Sequence, residues 1–167
     1  MPLPRGRDLE LTRQQLQAWF SPRFPQSKAL RIEDLRGPKD TGFSSDTLFF
    51  KLCLEQGDRE MVLRLEPSGD FLVFPEYDVG LQFRMMDALA GSSVPVPRMA
   101  WLEEDPSSLG KPFYVMDRIE GVVPSDTPPY HSEGWVYALS PEDRARVWFS
   151  GLDAMSEVHK LEWDSPE

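Results

Sequence analysis

A chain of 167 residues with 40% hydrophobic side chains and five tryptophans carries enough apolar surface for one folded domain, which excludes a disordered polymer. Its formal net charge of −10 is uneven: residues 1–40 hold eight Lys and Arg against five Asp and Glu, and residues 103–167 hold five against fourteen. So acidic a second half repels phosphates and disfavours nucleic acid, which is not expected as a partner.

The single cysteine, Cys53, rules out an internal disulfide framework and a cysteine-based metal cluster. No apolar stretch approaches the roughly 18–20 residues that cross a membrane. The opening Met1-Pro2-Leu3-Pro4-Arg5-Gly6-Arg7 lacks the apolar centre of a signal peptide. The expectation is a soluble cytoplasmic protein that makes no use of a membrane.

Thr12 followed by Gln15 fits a capping box, and Leu16, Trp19 and Phe20 follow at helical spacing, so a short helix is predicted over 12–20. Pro22 stops it. Leu30, Ile32 and Leu35 alternate loosely in a first strand over 29–35. Runs 47–54 and 60–66 are apolar and β-prone, and Glu55-Gln56-Gly57-Asp58-Arg59 between them signals a hairpin. Cys53 lies within the first run and reads as a buried thiol.

Residues 77–90 change to helical periodicity, with Val79, Phe83, Met86 and Ala90 on one stripe that Met85 and Leu89 widen. Val94-Pro95-Val96-Pro97 breaks that helix. Strands follow over 99–102 and 113–117, joined by the turn 105–110, and then comes a Pro, Gly and Ser-rich connection over 121–134. The last element is a helix with Ser140 as N-cap, Pro141 at its first position and Glu142 and Asp143 in its first turn. Trp148, Leu152, Met155 and His159 share one face of it. Strands, one inserted helix, two more strands, a linker and a helix make an α+β layout.

Three features could carry chemistry. The turn Thr41-Gly42-Phe43-Ser44-Ser45-Asp46 has a glycine and small hydroxyl residues, so backbone N–H groups could approach an anion there, although most glycine turns hold nothing. Arg64 interrupts the apolar strand Met61-Val62-Leu63-Arg64-Leu65, where a cation must either reach solvent or pair with anions. The segment Pro112 to Gly121 runs from a strand through Met116 and Asp117 into a turn. His131 reads as solvated and His159 as a packing or capping residue, and neither stands in a triad.

With Val94-Pro95-Val96-Pro97-Arg98 and Val158-His159-Lys160-Leu161-Glu162-Trp163, these stretches occur in the order seen in the aminoglycoside phosphotransferase and choline kinase-like family. The chain resembles that family from Ile32 to Trp163. The resemblance implies a protein-kinase-like N-lobe, an antiparallel sheet with an inserted helix, over residues 1–118. Hinge, linker and the first helix of a second lobe would occupy 119–167.

It also implies a set of roles. Ser44 and Ser45 would lie near nucleotide phosphates, and Arg64 would stand where kinases place the strand lysine. Gln82 takes the place of the helix glutamate that pairs with that cation; it accepts a hydrogen bond without supplying charge, and Glu76 is an alternative. Met116 would back the base pocket. The carbonyl of Asp117 and the N–H of Ile119 would meet the base edge.

In the complete enzyme the family uses ATP or GTP with Mg²⁺ to phosphorylate a small hydroxyl-bearing substrate. The pattern over 74–121 also resembles kinase-like domains fused to, or found beside, acyl-CoA dehydrogenases, which implies a hydroxyacyl acceptor as readily as an aminoglycoside. The family's His-Gly-Asp loop and later metal-binding aspartates do not occur in these 167 residues. The expectation is therefore an N-terminal fragment, inactive alone, whose last helix needs a partner chain or further lobe over its apolar face. The alternatives are a non-catalytic nucleotide-binding module, half of a split kinase, or an interaction protein that has kept only the fold.

Overall fold

The computed structural model describes residues 7–38, 46–67, 74 and 76–161. Its first helix, α1 (Leu9–Phe20), is capped by Asp8, whose carboxylate accepts the N–H groups of Glu10 and Leu11 at 3.0 Å each. The expected cap, Thr12, lies one turn inside the helix. Its hydroxyl donates back to the Asp8 carbonyl at 2.7 Å, and the residue is buried. Two capping residues stand within one turn of each other, and the outer one begins the helix. A short 3₁₀ turn, Ser21–Arg23, carries Pro22 and ends the helical run.

Five strands form one antiparallel sheet: β1 (Arg31–Arg36), β2 (Asp46–Cys53), β3 (Arg59–Leu65), β4 (Met99–Glu103) and β5 (Phe113–Asp117). Their spatial order is β1-β2-β3-β5-β4, and α2 (Val79–Ala88) is inserted between β3 and β4. This is the α+β layout expected of a kinase-like N-lobe.

Alternation along the strands gives the sheet two working faces. On the first, Phe50, Leu52, Met61, Leu63, Leu65, Phe113 and Val115 pack with Leu16, Trp19 and Phe20 of α1. Trp19 meets Phe113 edge-on at 5.0 Å, and Phe20 meets Trp101 at 5.1 Å. Each such buried side chain contributes about 1.5–3 kcal/mol relative to exposure. The Trp19 indole N–H donates to Glu103 Oε2 at 2.8 Å, and the Arg23 guanidinium lies 3.5 Å over the Trp19 ring, so α1 is tied to the end of β4.

On the second face, Val79, Phe83 and Met86 of α2 pack with Met99, Leu102, Tyr114 and Met116. Met85, expected to widen that stripe, is exposed, because six residues of helix put it about 120° around the axis from Val79. The helix also ends at Ala88, short of the expected 90, and Gly91 follows at φ 83°. Such a left-handed glycine commonly closes a helix.

The pairing of β4 with β5 shifts by one residue between Met99 and Trp101. Ala100 and Trp101 both join the α1 side, while Met99 and Leu102 both join the α2 side. This is a β-bulge, two residues set opposite one.

The chain divides into two compact units: Met1–Ala88 with Pro97–Arg118, and Leu89–Val96 with Ile119–Glu167. In the second, α3 (Pro141–His159) starts where the sequence predicts, with the Ser140 hydroxyl accepting the Asp143 N–H at 3.1 Å. Inside this unit the Ser93 hydroxyl donates to the Glu157 carboxylate, tying the segment after α2 to the last turn of α3.

Candidate functional site

Arg64 stands directly opposite Tyr114 of β5 on one side and Thr47 of β2 on the other. Two residues earlier, Val62 stands opposite Met116 and Phe49. Opposed residues of a ladder share a face, so Thr47, Phe49, Val62, Arg64, Tyr114 and Met116 lie together on the α2 side of the sheet.

Tyr114 is the buried centre of this group. Its ring meets Phe83 of α2 at 6.1 Å, and its hydroxyl donates to Gln82 Oε1 at 3.5 Å, the outer limit of a hydrogen bond. Burial raises the Tyr114 phenol above its ordinary pKa, and the nearby Arg64 guanidinium pulls it back down. Arg64, Tyr114 and Gln82 therefore converge from two strands and a helix on one patch, with Arg64 half-buried.

The end of β5 is arranged differently. Asp117 alternates with Phe113 and Val115, so its carboxylate belongs to the α1 side of the sheet. There it accepts from Arg59 Nη2 at 2.8 Å and from Arg98 Nε and Nη2 at 2.7 and 3.0 Å. Its own N–H donates to the Arg98 carbonyl at 2.9 Å. The next residue, Arg118, donates its N–H to the Glu60 carbonyl at 3.0 Å, and its guanidinium reaches Glu60 Oε2 at 3.1 Å and lies 5.5 Å from the Phe49 ring.

The family model described as a phosphotransferase enzyme family (APH) matches residues 40–166 of this chain. The chain belongs to that phosphotransferase family. Among curated relatives, mouse (Mus musculus) acyl-CoA dehydrogenase family member 10 is 32% identical over 123 residues, which cover 74% of this chain and 10% of that protein. Human (Homo sapiens) acyl-CoA dehydrogenase family member 11 is 27% identical over 108 residues, covering 65% and 13%. The chain thus spans only about a tenth to an eighth of the length of these relatives. A crystal structure from Ralstonia eutropha JMP134, of a protein provisionally assigned as an aminoglycoside phosphotransferase, is 31% identical with a TM-score of 0.43, covering 66% of this chain and 28% of that one.

Within the phosphotransferase match, the residues singled out from sequence fall in several places. Arg64, Gln82 and Met116 lie on the α2 side of the sheet. Asp117 ends β5 with its side chain on the other side. Ile119 belongs to the second unit and is 63% exposed. Glu76 is exposed, three residues ahead of α2. Ser44 and Ser45 lie outside the described residues.

Four residues of the face, Thr47, Phe49, Val62 and Tyr114, had not been singled out. Val62 could have been found by stepping back two residues from Arg64. Phe49 and Tyr114 come into view only with the register of β2 and β5. His131 and His159 are both exposed.

Other features complete the picture. The second unit carries an open groove of about 640 Å³ lined by Tyr130, His131, Val136, Trp148, Leu152 and Met155 among others. Among the described residues no three His, Cys, Asp or Glu side chains gather as a metal site, and no helix is long and apolar enough to cross a membrane.

Proposed function

We propose that this chain holds the nucleotide for a small-molecule kinase, one in which the γ-phosphoryl of ATP or GTP passes to a substrate hydroxyl. The observation that carries this reading is the convergence of Arg64, Tyr114 and Gln82 on one sheet face, inside a chain that belongs to a phosphotransferase family. A guanidinium is always charged and offers several donors in a planar fork, which suits phosphate oxygens. Its half-buried setting beside the Tyr114 ring strengthens that attraction relative to water. Val62, Phe49 and Met116 supply an apolar strip on the same face against which a flat base can lie.

ATP or GTP fits these residues: a cation for the phosphates and an apolar strip for the base. Bound nucleotide supplies the transferable phosphoryl group. Arg64 would hold α- and β-phosphate charge, and Gln82 and Tyr114 would fix the edge of the patch beside it. Mg²⁺ does not fit in the same way, since the described residues gather no carboxylate cluster. No step through the metal is assigned to them.

Isothermal titration with Mg-ATP and Mg-GTP tests the reading. Saturable binding at millimolar concentration or tighter is expected, with Arg64→Ala weakening it at least about tenfold, the scale of one charge-assisted contact. Absence of binding, or an unchanged affinity in the variant, overturns it. For the acceptor, the acyl-CoA dehydrogenase names of the curated relatives favour a hydroxyacyl compound over an aminoglycoside. With nucleotide present, a hydroxyacyl-CoA should raise the melting temperature and kanamycin should not; the opposite ranking would select the aminoglycoside.

A further inference from the structure

We propose that the side chains of Glu60 and Arg118 determine base specificity and choose guanine over adenine, which makes GTP the preferred phosphoryl donor. The inference deepens the nucleotide reading above and rests on it. That reading sets two points on the α2 side of the sheet, the phosphates at Arg64 and the base over Val62, Phe49 and Met116. Glu60 and Arg118 mark a third.

Glu60 stands two residues before Val62 in β3, and Lys51 of β2 stands opposite it as Phe49 stands opposite Val62. The ladder between β3 and β5 runs one step past Asp117, since the Arg118 N–H donates to the Glu60 carbonyl at 3.0 Å. Lys51, Glu60 and Arg118 therefore make the next row of the same face, about 7 Å beyond the Val62 row and on the side away from Arg64. The Arg118 guanidinium donates to Glu60 Oε2 at 3.1 Å and lies 5.5 Å from the Phe49 ring, so it leans back over the strip. An acceptor and a fork of donors stand side by side at the far end of the strip.

A purine whose sugar and phosphates run toward Arg64 turns its opposite edge, N1 and the 6-substituent, toward that pair. On guanine the N1–H and the 2-amino group are adjacent donors, with the O6 acceptor beside them. A carboxylate takes both donors and a guanidinium takes O6, and Glu60 has lone pairs enough to keep Arg118 as well. Adenine offers one N–H donor on this edge, next to a bare N1 lone pair that repels a carboxylate. Guanine thus gains one charge-assisted hydrogen bond more than adenine.

The pair is open to a ligand, with the Arg118 and Glu60 side chains 32% and 44% exposed. Ion pairs so exposed add little to folding, so either residue can be replaced without loss of the sheet.

The test is isothermal titration of the 167-residue chain and its Glu60→Gln variant with Mg-GTP, Mg-ATP and inorganic tripolyphosphate, which carries the phosphates without a base. The unaltered chain should bind GTP about tenfold more tightly than ATP, the scale of one charge-assisted hydrogen bond. In Glu60→Gln that ratio should fall below twofold, while tripolyphosphate affinity changes less than twofold. Arg118→Gln should narrow the ratio in the same way, and serves if Glu60→Gln does not fold. Equal or tighter binding of ATP by the unaltered chain would overturn the inference and leave the nucleotide reading standing. So would a GTP preference that survives in both variants, or losses that are parallel for all three ligands. Failure of the unaltered chain to bind either nucleotide would instead bring down the nucleotide reading, and this inference with it.

Discussion

The helices α1 and α3 both open on a side-chain oxygen that caps the first turn, and both carry an apolar stripe. α1 sets Leu16, Trp19 and Phe20 into the sheet, whereas α3 buries none of its residues and leaves Trp148 62% exposed. Capping and periodicity act within a turn or two of chain, so they mark where a helix starts and which side is apolar. They say nothing of a neighbour. Most helix stability in a folded protein comes from that neighbour, so the stripe of α1 is part of a core and the stripe of α3 is part of a surface.

Truncating each stripe puts the largest strain on this contrast. Phe20→Ala removes a fully buried ring and should cost about 3–5 kcal/mol in urea denaturation. Trp148→Ala should stay within about 0.5 kcal/mol of the parent chain. Comparable losses would show that the α3 face is covered in solution.

The caps sharpen the contrast at a smaller scale. Asp8→Ala should lower global stability by about 1 kcal/mol, because α1 is bound into the core. Ser140→Ala should reduce helicity by circular dichroism while leaving the unfolding midpoint of the sheet unit in place.

Cys53 reports on the covered unit from within. Burial, with Glu33 and Asp58 close by, pushes its thiol up to about 11 from 9.0. The folded chain thus holds the proton longer than the unfolded one. The resulting stability is complete below about pH 9 and disappears as pH rises through about 11. Ellman's reagent at pH 8 should modify Cys53 only at the rate of unfolding; immediate reaction would mean the core is open.

The smallest effect belongs to the exposed rim of α1. Hydrogen bonds from Arg13 and Gln14 hold the Glu10 carboxyl near 2. Its contribution is present above about pH 4.5 and fades as pH falls toward 2. Solvent screening keeps the effect slight. An NMR titration of Glu10 with a midpoint near 4.5 would remove the contact.

What could be read from the sequence follows the same division between local and distant causes. Ser140 and Pro141 were legible because a cap and a first-turn proline act on the adjacent chain. The β2–β3 hairpin was legible from Gly57 and its neighbours, and the burial of Cys53 from the run around it. Asp8 was missed in favour of Thr12 because both suit a cap and only packing chooses between them. Arg64 stood out as a cation among apolar residues. Its companions Tyr114 and Phe49 did not, since register between strands is a property of the whole sheet. The grip of Arg59 and Arg98 on Asp117 joins three segments far apart in the chain, and no spacing rule reaches that distance.

The bulge in β4 is a length of slack. Met99 and Leu102 are an odd number of residues apart and still face the same helix, which is possible only with the extra residue between them. Without Ala100, Met99, Trp101 and Leu102 would pair one to one with Met116, Val115 and Tyr114 and keep their faces. The Glu103 carboxylate would stay with the Trp19 indole it now holds. A single missing codon at this point would leave a helix more than 80 positions upstream still fastened.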